Sequence, residues 1–84
     1  MDTLFFTLQG KKYSGHIISN TDGHDQYYWF VFDDDELIEQ FGDSIAFHIR
    51  NGLLKPVYTY SRFVELIAQL QAFVEEYRMK LTTQ

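Results

Sequence analysis

The pattern of apolar and polar side chains divides the chain into β-type and helical segments. The longest apolar segment, residues 26–32, is rich in aromatic and β-branched side chains, which favour a β-strand. A strand with one solvated face alternates apolar and polar residues, but this segment is apolar on both sides. One side carries Tyr28, Phe30 and Phe32, and the other carries Tyr27, Trp29 and Val31. The strand therefore needs cover on each of its two faces.

Two shorter segments before it, residues 4–8 and 13–19, predict a β-hairpin. The sequence Gly10-Lys11 suits a two-residue type II′ loop, with glycine at the position where φ is positive. That register separates an apolar face from a mostly polar one, as directly paired residues share a face. It also places Phe6 opposite Gly15, so that the ring covers bare backbone.

A polar loop and a short helix are predicted on either side of the aromatic strand. Residues 20–25 are turn formers and predict the loop. After the strand, Asp33 and Glu36 have the spacing of a capping box, which predicts a helix at Asp34–Phe41. Gly42 is the residue expected to end that helix.

A second hairpin is predicted around Asn51-Gly52, a strong signal for a type I′ loop. The segment 44–50 alternates well and forms its first strand. The register pairs Phe47 with Pro56 at a non-hydrogen-bonded position and extends the apolar face to Tyr58. Because proline lacks an N–H donor, the fifth strand is predicted to lie at the edge of the sheet.

The last segment predicts a long helix of about twenty residues, roughly 30 Å in length. It opens at Tyr60 or Ser61, and the Ser61 hydroxyl is expected to cap it. Glu76 and Lys80 form a favourable i,i+4 pair. The apolar positions at helical spacing are Phe63, Leu66, Ile67, Leu70, Phe73, Val74, Tyr77 and Leu81.

The order β-β-β-α-β-β-α predicts a single α+β domain over residues 1–84. We expect a small antiparallel sheet of about five strands, with the long C-terminal helix packed across its apolar face. An alternative is a small, partly closed barrel with the helix across its mouth.

Composition narrows the range of functions. The net charge is −5, which disfavours binding to phosphate backbones, so no nucleic-acid partner is expected. The chain has no cysteine, which excludes disulfides and thiolate metal sites. It shows neither a signal peptide nor an apolar run long enough for a membrane span. We therefore expect a cytoplasmic protein without a membrane partner.

One face of the predicted sheet is left without cover. Five strands span roughly 20–24 Å, whereas a helix is about 10 Å across, and no further element remains for the second face. A curved sheet could bury part of that face itself. Otherwise the face is a partner-binding surface, with candidate residues Phe5, Ile18, Tyr27, Trp29, Val31 and His48.

These features favour a small, non-catalytic protein-interaction module that forms a homodimer or binds another protein through the uncovered face. A sheet edge could also accept an added strand. The alternative function is a small-ligand-binding domain with a pocket between sheet and C-terminal helix. That pocket would be lined by Phe30, Phe47, Tyr58, Phe73 and Tyr77.

Candidate chemistry is sparse. His16, His24 and His48 show no metal-ligand spacing, although His16 and His48 fall on one predicted face. The acidic run 33–36 is better explained by helix capping than by a metal. No phosphate-binding loop, nucleophile elbow or cysteine nucleophile is present. The sequence therefore predicts no enzymatic activity, no cofactor and no metal.

Overall fold

A computed structural model of the chain describes residues 3–23, 25–58 and 63–82 and shows a curled antiparallel sheet with two helices. The five strands form a meander in the order β1-β2-β3-β4-β5, so the predicted α+β architecture is confirmed. The elements are β1 (Leu4–Leu8), β2 (Lys11–Asp22), β3 (Asp25–Phe32), α1 (Asp35–Phe41), β4 (Ser44–Arg50), β5 (Leu53–Pro56) and α2 (Val64–Thr82).

The hydrophobic core lies between one face of the sheet and α2, and we call this face the core face. Phe30, Ile45 and Phe47 have no exposed surface there, and α2 adds Leu70 and Val74, which are equally inaccessible. The predicted inward orientation of one side of β3 is confirmed, because its side chains are all buried: Tyr28, Phe30 and Phe32.

Two glutamines of α2 reach the opposite edges of the sheet. Gln69 Nε2 donates a hydrogen bond to the Thr7 carbonyl in β1 at 3.0 Å, and Gln71 Nε2 donates one to the Leu54 carbonyl in β5 at 3.2 Å. Residues two apart on a helix project to opposite sides. Both edge strands therefore approach the flanks of α2. The sheet curls around the helix, with a concave core face and a convex outer face.

The first hairpin has a different loop from the one predicted. Gln9 and Gly10 form the loop, with φ of 52° and 78°, so Leu8 pairs with Lys11. Positive φ at both positions is the type I′ arrangement, and glycine satisfies this loop as well as the predicted type II′ loop at Gly10-Lys11. The two registers differ by an even number of residues, so the predicted face assignments hold although the pairings are wrong.

Gly15 lies beneath Phe30 rather than beneath Phe6, which corrects the predicted pair. In the observed register Gly15 stands opposite Leu4 on one side and Phe32 on the other. A Cβ added at Gly15 would lie 2.3 Å from Phe30 Cε1. An aromatic ring covers the Gly15 backbone as expected, but it is Phe30 of β3 and not Phe6 of β1.

The loop predicted at residues 20–25 is mostly strand. β2 continues to Asp22 and β3 begins at Asp25, and these two residues pair with each other. The turn-forming residues therefore belong to the paired strands of the β2–β3 hairpin. Thr21, for example, pairs with Gln26 close to its turn. His24, which lies between the other two histidines in the sequence, is outside the described residues.

The capping box predicted at the start of α1 does not form. The helix begins at Asp35 with Asp34 as N-cap residue, and no side chain caps it. Asp34 Oδ2 instead accepts a hydrogen bond from the Ser14 N–H at 3.0 Å, and Glu36 pairs with Lys11. The acidic run thus attaches α1 to β2. Gly42 ends the helix as predicted, and its N–H donates to the Ile38 carbonyl.

The second hairpin confirms its predicted register. Asn51 and Gly52 have φ of 53° and 77°, and Phe47 pairs with Pro56. β5 is an edge strand, as the proline predicts. The pairing continues only to the Val57 N–H, which donates to the Ala46 carbonyl at 2.9 Å. Tyr58, predicted on the core face, is instead 67% exposed.

α2 carries the predicted apolar stripe and the predicted ion pair. Glu76 Oε1 lies 3.7 Å from Lys80 Nζ. The cap at Ser61, the alternative start at Tyr60 and the side chain of Leu81 lie outside the described residues. Across residues 3–23, 25–58 and 63–82, neither helix has the length and apolar character that crossing a membrane requires.

Candidate functional site

The convex face of the sheet, here called the open face, carries a continuous apolar row. Ile18 of β2, Trp29 of β3 and Ala46 of β4 lie directly opposite one another. Tyr27 lies beside Trp29, with ring centroids 6.1 Å apart and an interplanar angle of 26°. The row crosses the three central strands, and no described element packs over it.

All six predicted site residues lie on the open face. Five of them form one group around β3, because Tyr27 pairs with His48 while Trp29 pairs with Ile18. Val31 completes that group. Phe5 belongs to the edge strand β1, opposite Ser14, and is 57% exposed. The open face therefore has an aromatic centre and a separate exposed ring at one margin.

The open face also carries cationic residues that the predicted site omitted. Lys12 lies over the ring of Phe5, with Nζ 4.8 Å from the ring centroid. Lys55 pairs with His48 and Arg50 pairs with Leu53, on the far side of the aromatic centre. Strand alternation places Lys12 on the same side of β2 as Ile18, and Arg50 on the same side of β4 as His48. Lys55 of β5 lies directly opposite His48, so its position on this face could also be predicted from the hairpin register.

A polar cluster marks the border between the open face and α1. Asp33 Oδ2 accepts a hydrogen bond from Ser14 Oγ at 3.1 Å, and Asp33 Oδ1 lies 3.3 Å from His16 Nδ1. The Asp33 carboxylate thus contacts both Ser14 and His16. In a catalytic triad, by contrast, the histidine lies between the serine and the aspartate. His16 and His48 lie four residues apart along the ladder, about 13 Å, too far to share a metal ion.

Ion pairing and burial shift several pKa values near the core face. The hydrogen bond from Lys11 lowers the pKa of Glu36, and the same contact raises the pKa of Lys11. Burial raises the pKa of the Tyr28 and Tyr13 phenols above their ordinary range. Both tyrosines are therefore neutral hydrogen-bonding groups at physiological pH, with Tyr28 Oη donating to Gln26 Oε1 at 3.4 Å.

A groove runs between β5 and the first turns of α2. It is largely open to solvent, has a volume of about 430 Å³, and is lined by Lys55, Pro56, Tyr58, Val64, Ile67, Ala68 and Gln71. Phe30 and Phe47, which were predicted to line a ligand pocket between sheet and helix, are fully buried in the core and do not border the groove. Of the residues predicted to line that pocket, Tyr58 is the one that borders the groove.

Comparisons of the chain with protein-family models, with curated proteins and with solved structures found no match. The open face and the groove remain as the features of the molecule that bear on its function.

Proposed function

We propose that this protein is a non-catalytic interaction module that binds another protein on its open face. The observation that carries the proposal is the uncovered row of Ile18, Trp29 and Ala46 with Tyr27 beside it. Ile18 remains 43% exposed although it neighbours the largest side chain of the face. Contiguous apolar surface of this kind is typical of binding sites, and Trp and Tyr are enriched among the residues that dominate binding energy.

The edges of the sheet support this choice of surface over strand addition. The Leu54 carbonyl points outward from β5, because Leu54 occupies a non-hydrogen-bonded position opposite Ile49, and Gln71 already occupies it. Pro56, next along the same edge, has no N–H to offer. On β1, Gln69 occupies the Thr7 carbonyl. An added strand would have to displace these side chains, whereas the open face is available without rearrangement.

Trp29→Ala is expected to weaken association by about thirtyfold or more, which is the effect of removing a dominant interface residue. Trp29 is half-buried and lies outside the core, so the same change should lower the free energy of unfolding by only about 1 kcal/mol. One measurement is the affinity for a protein that the immobilised wild type retains from a cell extract, and another is the solution mass across a concentration series. Wild type and variant are compared at equal folded fraction.

Val64→Ala is the matched control, because it truncates an exposed apolar residue on α2, 65% accessible, that borders the groove. We expect Val64→Ala to leave association unchanged. Loss of association in Val64→Ala with none in Trp29→Ala would move the binding site from the open face to the groove.

A small-ligand-binding domain is the second candidate, and the groove between β5 and α2 is what favours it. Its volume of about 430 Å³ falls within the range of small-molecule sites, and its walls are mostly apolar. Its polar lining groups include Lys55 of β5 and the Gln71 amide, which is already bonded to the Leu54 carbonyl. Chemical-shift changes confined to α2 and β5 during a ligand screen would support this candidate over the open face.

A further inference from the structure

The charges of the described residues are unevenly distributed between the helices and the open face. Within residues 3–23, 25–58 and 63–82, each cation outside the open face lies against a carboxylate: Lys11 with Glu36, Arg78 with Glu75 and Lys80 with Glu76. Most described carboxylates belong to the helices or the turn after α1, namely Asp35, Glu36, Glu39, Asp43, Glu65, Glu75 and Glu76.

The open face has the opposite character. Lys12, Arg50 and Lys55 project from it, and none of the three forms an ion pair within the described part of the chain. Among the described side chains, two carboxylates lie at its margins. Asp33 is engaged by Ser14 and His16, and Asp25 falls opposite Arg50 when the register of β3 and β4 is continued by two residues. Lys12 and Lys55 therefore remain as the uncompensated charges on either side of the aromatic centre.

From this charge pattern we propose that the open face binds an acidic polypeptide segment of a partner protein. This inference rests on the proposed function and specifies the chemistry of the partner. The cations would attract its carboxylates, while Trp29 and Ala46 would contact its apolar side chains. Complementary charge at an interface sets specificity and the rate of association more than affinity, and it leaves the apolar centre to supply the binding energy.

The curvature of the sheet argues against a second copy of this chain as the occupant. Because Gln69 and Gln71 draw both edges towards α2, the open face is convex. Two convex faces touch over a small area, whereas a stable interface buries about 800 Å² on each partner. A flexible segment can follow the curvature instead.

The positions of the two lysines define the length of segment that fits. Lys12 and Lys55 are separated by three strand spacings across the sheet and, through the registers of β2, β3 and β4, by eight residues along it. On a flat sheet this diagonal is about 30 Å, the span of about nine extended residues. By the same registers the diagonal crosses β3 between Asp33 and Val31 and crosses β4 at Ala46, with Trp29 about 5 Å to one side. The segment is therefore expected to carry carboxylates at both ends and apolar side chains between them.

A single-stranded nucleic acid fits this face less well than an acidic peptide. Its phosphates follow one another every few ångströms, so a strand along the diagonal would leave most of them without a cation. A peptide can place its carboxylates only where Lys12 and Lys55 lie.

The test uses Trp29 as reporter, because it is the only tryptophan of the chain. Three probes of equal length are titrated against the full chain: a peptide of about nine residues with glutamates at both ends and leucine and phenylalanine between them, the same peptide with glutamines for glutamates, and an oligothymidylate. We expect saturable change of Trp29 emission with the glutamate peptide, and binding that weakens as salt rises.

Charge variants of the protein make the expectation specific. Lys12→Gln and Lys55→Gln should each weaken binding of the glutamate peptide roughly threefold, and the double variant roughly tenfold, the range for exposed ion pairs. Lys80→Gln on α2 is the control and should leave the affinity unchanged. Lys12→Glu with Lys55→Glu should reverse the preference towards a peptide with lysine ends.

The possible results separate this inference from the proposed function. Equal binding of glutamine and glutamate peptides would overturn the acidic preference and leave the open face as a docking surface. Tighter binding of oligothymidylate, or self-association that Trp29→Ala abolishes, would also overturn the inference, since another occupant would then hold the face. Absence of any probe binding, together with association unaffected by Trp29→Ala, would overturn both.

Discussion

Gly15→Ala is expected to cost about 3 kcal/mol or more in the free energy of unfolding, the upper end of what overpacking a core does. The added methyl group would lie 2.3 Å from Phe30 Cε1 and 2.5 Å from the Val31 carbonyl oxygen. Phe30 has no exposed surface, so its ring has no free space to enter. The carbonyl belongs to the backbone of β3, so the second contact can be relieved only by separating two paired strands.

Urea unfolding of the wild type and the variant measures this effect. For a domain of this size the total stability is on the order of 5–10 kcal/mol, so the change should move the midpoint markedly or leave the variant unfolded. Gly23→Ala is the matched control, because its methyl group would meet nothing within 4 Å and only the positive φ of 63° opposes it. A loss at Gly15 no larger than the loss at Gly23 would refute the close-packing explanation.

Phe30→Ala is expected to destabilise the protein by about 3–5 kcal/mol, because it removes a large ring from the centre of the core. Phe30 packs edge-on against Phe6, with centroids 5.6 Å apart, and lies nearly parallel to Phe73 of α2 at 6.1 Å. Phe30 therefore contacts three elements: Phe6 in β1, the bare backbone of Gly15 in β2, and Phe73 in α2. The cavity left behind would thus weaken the attachment of α2 as well as the sheet.

Phe5→Ala provides the comparison for this prediction within the same residue type. Phe5 is 57% exposed on the open face, so its truncation should change the free energy of unfolding by less than about 1 kcal/mol. Combining Gly15→Ala with Phe30→Ala should cost less than the two changes added together, because the methyl group would occupy part of the vacated volume. Additive losses would indicate that the two positions do not share one space.

The assignment of side chains to the two faces could be predicted from the sequence, and it held even where the pairing was wrong. In the first hairpin Gly10 suits two loop types, and the choice between them depends on contacts that lie elsewhere. Lys11 pairs with Glu36 from within β2, whereas the predicted loop would have placed Lys11 in the turn. Parity along a strand is a local property, whereas register depends on tertiary contacts.

The acidic run shows the limit of spacing rules. Asp33 and Glu36 match a capping box, but the structure assigns both carboxylates to β2, where Ser14, His16 and Lys11 offer donors. A side chain with two possible partners cannot be assigned from sequence when one partner lies roughly twenty residues away along the chain, because that partner becomes a neighbour only after the sheet forms.

The position of the candidate site was predictable, but its shape and charge were not. Alternation alone places Trp29 and Ile18 on an uncovered face. The convexity of that face depends on Gln69 and Gln71, which look like ordinary polar positions of an amphipathic helix. The contribution of Lys12 and Lys55 also emerges only when the other cations are seen to lie against helix carboxylates.

The two glutamine contacts have a consequence for aggregation. The same helix that buries the aromatic core also occupies carbonyls on both edge strands. If α2 detaches, the buried rings and both unprotected edges become available at once, and exposed edges are templates for pairing with other chains. We expect light scattering to rise with loss of helical signal on heating, and earlier in a Gln69→Ala, Gln71→Ala variant. If light scattering rises only when the β-sheet signal is lost, and not with the helical signal, the expectation is contradicted. The protection of both sheet edges is thus a property of α2 rather than of the strands themselves.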